Sequence, residues 1–126
     1  MKSYLGAAFL GAAIVAIVPV GLAVAAPAAP AGQAIFEQRC AACHSVEPDD
    51  NEVGPSLAGV VGRKAGSLAG YNYSPALKAS GKVWTRPQLD QFLAAPQKLV
   101  PGTKMPMSVP AADQRQALIA YLAGIH

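Results

Sequence analysis

Two cysteines, Cys40 and Cys43, stand three residues apart, and a histidine, His44, directly follows the second. On a helical turn, residues i and i+3 share a face. Both sulfurs can therefore reach one flat ligand and form thioether bonds to its two vinyl groups. His44 then lies over the ring centre, where its imidazole can bind iron. This pattern, Cys40-Ala41-Ala42-Cys43-His44, is the attachment signature of a c-type haem. Three other chemistries use paired cysteines. A thiol–disulfide motif normally opens a helix in a βαβ setting, and this chain shows no alternation of strand and helix. A structural zinc site takes about four ligands, and the only further Cys or His is His126, the last residue. A disulfide across two intervening residues would close a very small loop. The pattern itself favours haem, with these three as the competing readings.

Iron that only passes electrons needs a sixth ligand that does not exchange. Thioether sulfur is soft and stabilises ferrous iron. Beyond Met1 the methionines are Met105 and Met107, both within Pro101-Gly-Thr-Lys-Met-Pro-Met107. The prolines and glycine restrict this backbone, so it can hold a side chain in place without helix or sheet. On residue chemistry alone Met105 stands slightly ahead of Met107, and either could be an apolar plug.

The elements that must position these residues read as short helices. Gly32 to about Cys43 carries Ile35, Phe36, Arg39, Cys40 and Cys43 at helical spacing. Ser45 to Pro55 is a polar loop, and Leu57 to Leu68 is too rich in glycine for a helix. Ser74 as N-cap, Pro75 at the first position and Gly81 beyond the end bracket a second helix. Thr85 and Gln88 form a capping box for a third, with Leu89, Phe92 and Leu93 on its apolar face and Pro96 as its stop. Leu99 to Pro110 reads as irregular. A last helix from about Ala111 to Ala123 points Leu118, Ile119 and Leu122 inward, with Gly124 as its exit. The class is all-α, three to five short helices with long ordered loops, which suits wrapping a flat cofactor.

At 126 residues this is a single domain. No charge interrupts the chain between Lys2 and Glu37. The charged start, the apolar centre from Leu5 to Val18 and Ala23-Val24-Ala25 read as a secretory signal peptide over residues 1–25. The competing reading is an uncleaved anchor, because Tyr4 to Ala26 is long enough to span a bilayer. Residues 26–31 read as an Ala/Pro linker, and 32–126 as the folded domain outside the cytoplasm. At nearer 100 residues that domain is small for a self-sufficient core, and a buried haem would supply apolar bulk.

Formal net charge is +3, but the distribution matters more. Glu47, Asp49, Asp50 and Glu52 cluster after the haem motif. From Arg63 to Lys104 there are seven cations and one anion, Asp90. Most of these residues read as solvated surface, and the functional reading is a positive field that steers an acidic protein partner. Without a dense basic run or interleaved aromatics, nucleic acid is not an expected partner.

Gly32-Gln-Ala-Ile-Phe36, the haem motif, Gly54-Pro-Ser-Leu57, Gly62-Arg-Lys64, Gly70-Tyr-Asn-Tyr-Ser74, Trp84, Pro101-Gly-Thr-Lys-Met105 and Leu118-Ile-Ala-Tyr-Leu122 follow in order. In this the chain from Gly32 to His126 resembles the class I c-type cytochromes, the electron carriers of mitochondria and bacteria. The resemblance implies the cytochrome c fold around one covalent haem c. It implies thioethers from Cys40 and Cys43, His44 as proximal ligand and Met105 as distal ligand. Pro55 resembles the residue whose carbonyl accepts from the His44 ring. Tyr73 and Trp84 resemble donors to a haem propionate, Arg63 its charge partner, and Thr103 a further donor nearby. As ordinary protein parts, Tyr73 and Trp84 would be core aromatics and Arg63 a surface cation. Gly32, Phe36, Leu118 and Tyr121 resemble the family's crossing of first and last helices.

Three positions depart from the family pattern. Phe92 replaces a tyrosine near the methionine sulfur. Met107 replaces an aromatic at the haem edge. Gln97 replaces a docking lysine, while Arg39, Lys98 and Lys104 remain. The implied function is a soluble periplasmic one-electron shuttle and not an enzyme. Its implied partners are a quinol–cytochrome c reductase as donor and a terminal oxidase, reductase or photosynthetic reaction centre as acceptor. Membrane contact is expected only if the N-terminal segment is kept. An open-site haem enzyme would need distal acid–base groups, and His126 and Asp90 are poor equipment for that. A thiol–disulfide exchanger is the third alternative.

Overall fold

A computed structural model describes residues 28–126, with Gly11 and Gly21 as isolated positions before them. The expected signal peptide or anchor lies outside the described residues. Five helices follow in order: α1 Ala28–Arg39, α2 Pro75–Ala79, α3 Arg86–Ala94, α4 Pro96–Leu99 and α5 Ala112–Ala123. Among the described residues there is no strand, only an isolated antiparallel bridge, Lys64 to Val83. No helix among them is long and apolar enough to cross a membrane.

The frame is the crossing of α1 and α5. At Gly32 the helices approach so closely that a Cβ would lie 2.5 Å from Tyr121 Cβ and collide with the Ala117 carbonyl. One turn on, the rings of Phe36 and Tyr121 sit with centroids 6.0 Å apart. Leu118, Ile119 and Leu122 of α5 are buried, and Leu118 has no exposed surface. They join Phe36 of α1 and Leu89, Phe92 and Leu93 of α3 in one apolar cluster. Burying each such side chain contributes about 1.5–3 kcal/mol.

Helix ends follow local chemistry. The Ser74 hydroxyl accepts from Leu77 N at 3.1 Å and caps α2. Thr85 Oγ1 accepts from Gln88 N at 3.3 Å and caps α3. The first helix differs from the expected one at both ends. It starts at Ala28, so residues 28–31 of the expected linker are its first turn; Pro30 is harmless there because first-turn amides lack helical partners. It ends at Arg39, not Cys43. Cys40 N and Ala41 N both donate to the Phe36 carbonyl, at 2.8 and 2.9 Å, so the hydrogen-bond ladder slips by one residue. Pro96 does end α3, but it also opens α4, whose Val100 N donates back to Pro96 O at 2.9 Å.

Candidate haem site

The slipped ladder leads directly into the cysteine motif. Cys43 N and His44 N both donate to the Cys40 carbonyl, at 3.0 and 2.9 Å, and make a single turn. That turn separates the two thiols by one helical step. Both cysteines are free thiols, Cys40 half-buried and Cys43 exposed. Burial pushes the Cys40 thiol up, Arg39 opposes this, and the Cys43 thiol adds to it. Cys40 is therefore neutral at pH 7.

The His44 ring is held by two neighbours, Pro55 and Gly54. Its Nδ1 lies 2.7 Å from the Pro55 carbonyl oxygen. A carbonyl only accepts, so Nδ1 carries the proton and Nε2 keeps its lone pair. Burial, which is the largest influence, lowers the imidazole pKa; the Pro55 bond opposes it and the Arg63 charge reinforces it. The neutral ring, with Nε2 free to donate to a metal, is the form this pocket selects. Pro55 is itself pinned on both sides. Gly54 N donates to Cys43 O at 2.7 Å, and Leu57 N to Ser45 O at 2.9 Å. Gly54 packs flat on the imidazole, where a Cβ would lie 2.7 Å from Nδ1 and 2.9 Å from Nε2.

The 45–58 loop is knitted internally. Ser56 is buried; its amide donates to Asn51 Oδ1 at 3.0 Å and its hydroxyl to the Glu47 carbonyl at 2.5 Å. Tyr71 OH donates to the Val53 carbonyl at 2.7 Å and ties this loop to the next. Arg63 donates from Nη2 to Ser56 O at 3.0 Å and from Nη1 to Ala58 O at 3.1 Å. These bonds use two of its five N–H groups. Burial lowers the Arg63 pKa, and Tyr73 opposes the shift.

The short bridge brings the aromatic donors beside Arg63. Trp84 N donates to Arg63 O at 2.8 Å, and Gly62 N to Trp84 O at 2.8 Å. Tyr73 and Trp84 are each 6% exposed. Neither the phenol nor the indole N–H donates to the protein among the described residues, and neither is sealed from solvent. Tyr73 packs edge-on against Tyr71 at 4.8 Å. Phe92, the departure from tyrosine, packs on Trp84 at 4.8 Å with its rings tilted by 48°.

In the segment from Pro101 to Pro110, Thr103 is buried and Met105 is half-buried against the core cluster. Met105 N lies 3.5 Å from Thr103 Oγ1, which leaves the hydroxyl proton free to donate elsewhere. Met107 is 45% exposed, a surface residue here. Arg39, Lys98 and Lys104 are all exposed. Lys104 Nζ is tethered, donating to the Asn72 carbonyl at 2.6 Å.

Sequence reasoning missed three groups that organise this region. Gln97 donates from Nε2 to the carbonyls of Thr103 at 2.7 Å and Met105 at 3.3 Å. Arg115 of α5 reaches Asp90 Oδ1 with Nε at 2.7 Å, and the Val109 and Pro110 carbonyls with Nη1 at 3.1 and 2.7 Å. Gly54 abuts the histidine ring. Backbone carbonyls are the partners of Gln97 and mostly of Arg115, and no residue type announces a carbonyl. For Gly54, the Gly-Pro pair was visible, but its neighbour was not.

A haem fits the residues present. Two thiols one turn apart, an imidazole with one free nitrogen, a half-buried thioether and two aromatic donors that bond nothing in the protein among the described residues are the donor set that it would use.

The sequence matches the family model "Cytochrome c" over residues 29–125. A cytochrome c2 of Rhodoblastus acidophilus is 47% identical over 95 residues, covering 74% of this chain and 88% of that one. A cytochrome c 2.1 of Caenorhabditis briggsae is 45% identical over 92 residues, covering 72% and 82%. Among solved structures, cytochrome cH from Methylobacterium extorquens superposes with a TM-score of 0.71 at 46% identity, covering 75% of this chain and 96% of that one. This chain belongs to the cytochrome c family. It is therefore a binder of covalently attached haem c, with Cys40 and Cys43 in the attachment motif, and an electron carrier rather than an enzyme.

Proposed function

We propose that this protein is a periplasmic monohaem carrier that shuttles single electrons from a quinol–cytochrome c reductase to a terminal oxidase or reductase, or to a photosynthetic reaction centre. Residues 1–25 would direct its export and then be removed. When bound, haem supplies an iron that takes up and releases one electron. This chain's residues do the rest. Cys40 and Cys43 would anchor the group, and His44 Nε2 and the Met105 sulfur would bind its iron and so keep small ligands out. Tyr73, Trp84, Thr103 and Arg63 would offer the haem propionates donors and positive charge, which would favour their ionised form. Arg39, Lys98 and Lys104 form the cationic rim that an acidic partner meets.

The observation that carries this reading is the His44 imidazole. The Pro55 carbonyl fixes its proton on Nδ1, which leaves Nε2 as a donor on the residue that directly follows the Cys40–Cys43 turn. The test is a potentiometric titration of the exported protein, with its intact mass measured alongside. The mass is expected to equal the chain from about residue 26 plus one haem, and the titration to follow a single one-electron curve. Met105→Ala should lower the midpoint and let the reduced protein bind carbon monoxide. A colourless product, or an unchanged midpoint in Met105→Ala, would overturn the assignment.

A further inference from the structure

We propose that Gln97 is a positioning residue for the distal ligand, acting as a gate on exchange of the Met105 sulfur; the proposal rests on the assignment of Met105 above. The segment from Pro101 to Pro110 has no regular structure to hold it. Its backbone must be fixed by bonds from outside: Val109 N donates to Leu93 O at 2.7 Å, and two side chains from outside the segment, those of Arg115 and Gln97, bond its carbonyls. Arg115 grips the far end through the Val109 and Pro110 carbonyls. Lys104 reaches away, to Asn72. Among the described residues only Gln97 holds the carbonyl of Met105 itself, and it also holds that of Thr103 two residues earlier.

The geometry explains why this residue can do so. Gln97 follows Pro96 in the single turn of α4, and Val100 N closes that turn onto Pro96 O at 2.9 Å. Thr103 N donates to Val100 O at 3.0 Å, so the chain reverses and returns past α4. The amide side chain spans this reversal like a staple. One NH2 group offers two protons, one for each carbonyl. The Thr103 hydroxyl then sits within reach of Met105 N. The sulfur-bearing residue is thus held at its amide and at its carbonyl. If the staple opens, the backbone that aims the sulfur gains freedom, and the sixth position is vacated more often.

The proposal gives Gln97 a second consequence. A lysine here would contribute charge to the docking rim. The glutamine gives up that charge and offers a neutral donor to the loop instead.

The experiment uses the haem-loaded protein at neutral pH. Reduced wild type, Gln97→Ala and Gln97→Glu are mixed with carbon monoxide and the binding rate is recorded. Glu has the length of Gln but no proton to donate. Gln91→Glu, an exposed site on α3, is the control for added charge. Binding by Gln97→Ala is expected to be roughly three- to tenfold faster than wild type, the scale of one or two neutral hydrogen bonds. Gln97→Glu should be at least as fast as Gln97→Ala. Gln91→Glu should match wild type in rate, and the thermal midpoint of Gln97→Ala should fall by only a few degrees, the scale of the same one or two bonds lost on unfolding. Equal rates for wild type and both Gln97 variants would overturn the gate while leaving Met105 as ligand. Rapid binding by wild type itself would overturn the Met105 assignment, and the gate with it.

Discussion

His44 depends on what its neighbours lack as much as on what they offer. Pro55 provides an acceptor and Gly54 provides the absence of a side chain. Gly54→Ala places a methyl against the imidazole ring. The ring must tilt, and the bond from Nδ1 to Pro55 lengthens. Overpacking of this kind costs about 1–3 kcal/mol. The denaturation midpoint of the haem-loaded protein should fall accordingly, and an unchanged midpoint would show that the ring has room to move. The thiol pair and the histidine after it were legible in the sequence from their spacing, whereas the preference for Met105 over Met107 came chiefly from likeness to a family. The supports of this centre were legible only through the same likeness. Nothing in the identity of Pro55 says that its carbonyl, and not that of a neighbour, meets a ring eleven positions earlier.

At the scale of elements, two junctions carry the site. The first is the crossing of α1 and α5, which sets where the cysteine turn emerges. Gly32→Ala drives a methyl into the Ala117 carbonyl and Tyr121, and should destabilise the protein by about 1–3 kcal/mol in chemical denaturation. The second junction is the Arg115 clamp on the end of the methionine segment. The Arg115 side chain is 12% exposed and Asp90 is 41% exposed. Removing Arg115 strands two carbonyls and a carboxylate, so Arg115→Ala should cost about 2–3 kcal/mol. Asp90→Asn should cost no more than about 1 kcal/mol, since water screens that side of the pair. Equal losses in the two variants would mean that the ion pair, and not the grip on the loop, matters. Helix positions were legible from caps and spacing at Ser74, Thr85 and Gly124. The start of α1 was not, because Ala-rich sequence next to Pro30 reads equally as linker and as first helical turn. The π-type slip at Ala41 has no sequence signature, so helical spacing alone runs past Arg39 to Cys43. α4 was hidden because a proline that ends one helix can begin the next.

For the whole molecule, the decisive property is the split of charge. Acidic side chains gather at Glu47, Asp49, Asp50 and Glu52, and cations follow from Arg63 to Lys104. With the proposed rim of Arg39, Lys98 and Lys104, the carrier should meet an acidic partner quickly at low salt, and lose that advantage as screening shortens the field to about 10 Å near 0.1 M. Stopped-flow electron transfer to an acidic acceptor should slow with rising ionic strength. Lys98→Glu should lower the low-salt rate and flatten the dependence, and a rate indifferent to both would place docking elsewhere. This charge layout was plain from the sequence. The tether from Lys104 to Asn72 was not, because it joins two loops through a backbone carbonyl. Removing the thioether anchors has a broader effect. In a domain whose long loops have few elements of their own, haem is expected to organise the loops, so Cys40→Ala with Cys43→Ala should yield a protein of much reduced stability.

The most direct check of the whole account is the red-region charge-transfer absorption of the ferric protein, which reports sulfur bound to iron. It should be present in wild type and in Met107→Leu, and absent in Met105→Leu. Its survival in Met105→Leu, or its loss in Met107→Leu, would contradict the assignment of the distal ligand on which the carrier function is built.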